Sequence, residues 1–139
     1  MKVVVDTNVI VSALINANGM PAKILSLLLN GSIKIAFDNR ILFEYIEVLS
    51  RKEFAFNVEI INDLMNFLKH EGDFVNAEPL NLKFNDEADK KFYEVYKTGE
   101  AHYLITGNRK HFPDDDAILI PKNFIEVYNK KGPLPPPTL

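Results

Sequence analysis

The chain has 139 residues, 47% of them apolar and 25% charged, enough for one core of two or three layers and too few for two ordinary domains. No apolar run approaches the roughly 18 residues of a membrane-spanning helix, and Lys2 with three valines before Asp6 does not make an export signal; zero cysteines exclude disulfides and thiolate metal sites, so a soluble, cytoplasmic protein is expected. The net charge of −3 argues against a grip on nucleic acid through bulk electrostatics; function must rest on a site, and a cation-binding acidic site would itself tilt the count negative.

Lys2 to Val5 form a β-branched run that reads as a strand covered on both faces, with Asp6 at its C-terminal end. A short apolar stretch, Val9 to Leu14, is followed by the loop Asn16 to Gly19. Pro21 then opens a heavily buried helix through Ile24, Leu25, Leu27, Leu28 and Leu29, with Asn30-Gly31 as a left-handed stop. Ile33 to Phe37 predicts a second strand, and Asp38 or Asn39 caps a helix running to about Arg51. A further amphipathic helix spans about Asn57 to His70, and Phe74-Val75 reads as a weak third strand. Asn85 or Asp86 caps a helix carrying Ala88, Phe92, Val95 and Tyr96, stopped by Gly99. Strands at His102 to Thr106 and Ala117 to Ile120 and a helix over Asn123 to Tyr128 complete a domain of residues 1–129; a proline-rich tail, 130–139, need not pack. Strands alternating with helices predict an α/β three-layer sandwich: a central parallel sheet of four or five strands with helices on both faces. Ligands bind such sheets beyond the C-terminal strand ends, where the strand order reverses; Asp6 and Thr106-Gly107-Asn108 stand at such ends.

Three carboxylates stand out, each with a plainer reading beside it. Asp6-Thr7-Asn8 suits a helix cap as well as a ligand. Glu44 sits on the margin of its helix's apolar stripe, half-inward, or it snorkels to water; Glu47, four residues before Arg51, suits a surface ion pair. Asp89 falls close to Phe92 and Tyr96 rather than on the face of Lys90 and Lys91, or it simply complements the helix dipole. If the three meet, mutual repulsion raises at least one pKa, and a divalent cation removes that cost.

These residues carry a resemblance. Val3-Val4-Val5-Asp6-Thr7-Asn8, the helix around Glu44, the segment Asp86 to Phe92 and the strand end Thr106-Gly107-Asn108 resemble the motifs of the PIN-domain family over nearly the whole chain, from Lys2 to Tyr128, closest to prokaryotic VapC-like toxins. The resemblance implies a PIN-like fold and a metal-dependent endoribonuclease, with Asp6, Glu44 and Asp89 catalytic. It also implies Mg²⁺ or Mn²⁺ held by those acids and Asn108, 5'-phosphate and 3'-hydroxyl products, a cognate antitoxin and a homodimer. Thr7, Asn8, Thr106, Asn108, Arg109 and Lys110 are the substrate-binding candidates, although a solvated charge run explains Arg109, Lys110 and His111 equally. Asn108 replaces the family's fourth acid and should weaken a second cation site. Two rivals stand: a PIN-fold binding module with weakened catalysis, and a receiver-type signalling domain with Asp38 as phosphoryl acceptor. His70, His102 and His111 show no convergence in the sequence and read as surface or packing residues.

Overall fold

The computed structural model describes residues 1–131. Its five strands are β1 (Lys2–Val5), β2 (Lys34–Phe37), β3 (Asp73–Phe74), β4 (Tyr103–Ile105) and β5 (Ile118–Leu119). They form one wholly parallel sheet in the order β3-β2-β1-β4-β5. The chain steps outward from β1 through β2 to β3, then returns to β1's other edge with β4. The strand order therefore reverses between β1 and β4, and it is beyond the C-terminal strand ends at such a reversal that sheets of this kind bind ligands. Val3, Val4 and Val5 are wholly buried, as the central strand of a sheet covered on both faces requires.

Among the described residues six α-helices accompany the sheet: α1 (Thr7–Ile15), α2 (Met20–Leu29), α3 (Asn39–Leu49), α4 (Val58–Glu71), α5 (Lys90–Thr98) and α6 (Pro121–Lys131). α5 packs on β1, β2 and β4; α2 packs between α1 and α6; α3 touches α1, α4 and α5. The three-layer α/β architecture is the one expected. Asp38 caps α3 by accepting from the Ile41 amide at 3.0 Å, Asn57 caps α4, and Gly31 takes the left-handed φ of 82° after α2. Among the described residues no single helix is long and apolar enough to cross a membrane.

Several boundaries differ from expectation. The stretch beginning at Val9 is a full helix that starts at Thr7, directly behind Asp6. Gly99 ends α5 with an ordinary φ of −78°, and the left-handed residue is Glu100, at φ 51°. Gly99 answers to space instead, since a Cβ there would stand 2.8 Å from both the Val95 carbonyl oxygen and Val75 Cγ2. α6 begins at Pro121 and runs through Lys131. Lys130 and Lys131, expected in the tail, are thus its last turn, where their charge complements the carbonyl end. The tail beyond, 132–139, lies outside the described residues.

Candidate functional site

Asp6 leaves β1 at the point of strand reversal. Its amide extends the β1–β4 pairing by donating to the Ile105 carbonyl at 2.9 Å, and its side chain makes no capping bond to α1. Instead the Thr106 hydroxyl donates to Asp6 Oδ2 at 2.7 Å, across a sequence separation of 100 residues. Asp6 is only 6% exposed. Burial, the largest cause, pushes its pKa up to about 6; the Thr106 hydrogen bond pulls it back, and the charges of Asp89 and Glu44 push it further up.

Glu44 is brought to the same edge by its neighbour on α3. Tyr45 is fully buried, and its hydroxyl donates to the Val5 carbonyl, which pins α3 to the last residue of β1. Burial and the nearby charges of Asp6, Glu44 and Asp38 raise the Tyr45 pKa well above its ordinary value, so this pin stays protonated. Glu44 then accepts from the Thr7 hydroxyl through Oε2 and from Lys91 Nζ through Oε1, the latter at 2.8 Å.

Asp89 ends a 3-10 turn, Glu87–Asp89, that is capped by Asp86 and leads into α5. Its own side chain caps nothing. It accepts from His111 Nδ1 at 3.1 Å. Burial holds the Asp89 pKa above the usual range, against the pull of His111 and Lys91. His111 therefore joins the edge, which its position in a loop did not reveal. Lys91 is the larger correction: expected on the outward face with Lys90, it turns inward, 13% exposed, lying over the Phe92 ring and donating to Glu44 and the Ala88 carbonyl.

The remaining candidates divide. Thr7, Asn8 and Thr106 act on the edge itself: Thr7 bonds Glu44, Asn8 Oδ1 accepts from the Gly107 amide at 3.2 Å, and Thr106 orients Asp6 and accepts from the Asn108 amide at 3.0 Å. Asn108 is exposed at the end of this strand edge, and Lys110 is exposed beyond it. Arg109 turns away, its guanidinium donating to the Ile118 carbonyl at 2.9 Å and reaching Asp114 and the Asp115 carbonyl, so it closes the loop before β5. Asp38 is committed to the Ile41 amide and Arg40, which leaves it unsuited to accept a phosphoryl group.

The donors gathered here are carboxylate and amide oxygens, the chemistry of a hard divalent cation, and the raised pKa of buried Asp6 marks uncompensated negative charge. In that sense the residues fit a metal ion. As the side chains stand, however, no three acidic or histidine side chains among the described residues are close enough together to ligate one ion. Lys91 and Thr7 hold Glu44, and His111 holds Asp89. A cation at this edge would compete with these partners for the same oxygens.

Residues 2–110 match the PIN domain family. The chain is also similar to an uncharacterized protein of Methanocaldococcus jannaschii, 34% identical over 94% of this chain and 93% of that one. A second similarity, at 29% identity, is to an Aquifex aeolicus protein whose name reads probable integrase/recombinase; it covers 61% of this chain and 25% of that protein.

Proposed function

From the premise that the chain belongs to the PIN-domain family, whose members are generally nucleases, we propose that it is a Mg²⁺- or Mn²⁺-dependent endoribonuclease, the toxin of a VapC-like toxin-antitoxin pair acting in the cytoplasm. The observation that carries this reading is the buried Asp6 at the strand reversal, held by Thr106 and sharing its field with Glu44 and Asp89. A divalent ion bound there supplies Lewis acidity toward water and phosphate oxygen, offsetting the negative charge of phosphodiester hydrolysis. Asp6, Glu44 and Asp89 would hold it, with Asn108 offering a neutral oxygen. Thr106 and Thr7 fix the directions of Asp6 and Glu44, and the exposed Lys110 is free to take a flanking phosphate. Water enters at phosphorus, the bond to the 3'-oxygen breaks, and the products carry 5'-phosphate and 3'-hydroxyl.

A protein partner, the cognate antitoxin or a second copy, is supported by an apolar groove between α1, α2 and α4. Leu14, Leu25, Leu29, Ile60, Leu64 and Phe67 line it, with Ile60 and Leu29 largely exposed. The neutral Asn108 favours a second reading, a PIN-fold module that binds RNA without cutting it. One experiment separates the two. Purified protein is incubated with end-labelled RNA, and with DNA of the same sequence, in Mn²⁺ and in chelator. Cleavage of RNA that chelator stops and that leaves 5'-phosphate ends supports the enzyme; RNA retained intact by the protein in Mn²⁺ supports the module, and cleavage of DNA alone overturns the ribonuclease.

A further inference from the structure

Lys91 is the feature of this edge that neither the acidic motif nor the proposed reaction uses. Lysine side chains are rarely drawn in from solvent unless paired, yet this one is 13% exposed. Its ammonium lies 2.8 Å from Glu44 Oε1, also donates to the Ala88 carbonyl, and stands 5.0 Å from the centre of the Phe92 ring. Ala88 directly precedes Asp89, so one cation bridges the two segments that bring Glu44 and Asp89 to the edge. Position 108, at the end of the same strand edge, is neutral. The charges then balance simply: three carboxylates against one ammonium and one divalent ion, with no fourth carboxylate to hold a second ion.

We infer that Lys91 is the built-in second cation of this site, neutralising Glu44 so that the protein takes up one divalent ion and holds it only moderately. This rests on the metal-dependent reading above and deepens it. Lys91 acts as a positioning and charge-balancing residue: it sets where Glu44 points and how much negative charge remains for the ion. Removing the ammonium leaves Glu44 free and adds one net negative charge beside the ion, which strengthens divalent binding.

The test needs no RNA. Calorimetric titration with Mn²⁺ is run on the wild type, Lys91→Met, Lys91→Arg and the double variant Lys91→Met/Glu44→Gln, with thermal melting of each in chelator to establish folding. Expected is one equivalent of Mn²⁺ for the wild type and Lys91→Arg, which keeps the cation. Lys91→Met should bind at least about tenfold tighter or take up a second equivalent. In the double variant the gain should be lost, because the carboxylate that Lys91 neutralises has gone with it. Equal affinity and stoichiometry in the wild type, Lys91→Met and Lys91→Arg overturn this inference alone. Absence of binding in every folded variant overturns the metal reading and this inference together.

Discussion

Two clusters built from the same ingredients sit at opposite ends of the balance of charge. In the first turn of α3, Arg40 lies between two buried carboxylates, reaching Asp38 at 2.7 Å and Glu94 at 2.8 Å; Glu94 also accepts from the Leu80 amide at 2.7 Å and so ties the 76–84 segment to α5. Every acceptor there has a donor. Glu94 is buried, yet its pKa is lowered: burial alone would raise it, and the Arg40 hydrogen bond, the Leu80 amide and nearby positive charge more than offset that. At the β1–β4 edge, burial is the largest cause that lifts the Asp6 pKa to about 6; the Thr106 hydroxyl and the Thr7 backbone amide oppose it, the acids Asp89 and Glu44 add to it, and no cationic side chain offsets it. The contrast separates a carboxylate that the fold uses to hold itself together from one that the fold holds ready for something else.

The largest expected effect breaks the edge. Loss of an outer partner of a metal ligand typically costs 10–100-fold in activity, so removing the proposed ligand itself by Asp6→Asn should cut metal-dependent cleavage by at least about 100-fold. The same variant should be more stable than the wild type when metal-free. Because the folded Asp6 carboxyl holds its proton more tightly than the unfolded one, the wild type loses stability as pH rises from about 4 to about 6. The advantage of Asp6→Asn should therefore be about 2–3 kcal/mol at pH 7 and vanish below about pH 4. Denaturant melts in chelator at several pH values check this, and a pH-independent difference would make Asp6 an ordinary buried polar residue. The clamp should show the opposite slope: Glu94 contributes stability above the ordinary carboxylate range and loses it as pH falls through its lowered pKa.

Glu94→Gln should destabilise by about 1–2 kcal/mol, less than the 3–5 expected for a fully buried pair because Arg40 is half exposed. Its Mn²⁺ affinity should stay within about twofold of wild type by calorimetry. Next in size, Asn108→Asp should lower the Mn²⁺ concentration for half-maximal cleavage several-fold and lower the metal-free melting temperature, through added repulsion. An unchanged metal requirement would place Asn108 outside the ion's reach. Smallest is Glu47→Gln. Its pair with Arg51, at 3.1 Å, is exposed on both sides, so stability should change by about 0.3–0.5 kcal/mol and cleavage not at all.

What the sequence revealed follows from what each residue type announces. Strands that end on Asp6 and Thr106 are legible because buried parallel strands are continuous apolar runs and their ends are abrupt. The inward lean of Glu44 is legible from helical phase, since it lies three residues after Ile41 and four before Val48 on the apolar stripe. Lys91 was misplaced because lysine on a helix reads as solvent-facing; the overlooked signal was its spacing of four from Val95, which is wholly buried. The 3-10 turn ahead of it also breaks the 100° count begun at Asp89. Glu94 was missed for a related reason: its partners Arg40 and the Leu80 amide lie 54 and 14 residues away, and no local pattern records a pairing across the fold. His111 met Asp89 through a loop, where periodicity carries no information.

The hydrogen bond from Thr106 to Asp6 has a consequence in time. Asp6 leaves a ribosome about a hundred residues before the strand that completes its surroundings. Contacts so distant along the chain close slowly and late. Over most of that interval a growing chain carries its central acid without the hydroxyl that aims it, without Asp89 and without β4. Under the proposed ribonuclease reading, this ordering would keep the nascent chain inert beside the message that encodes it.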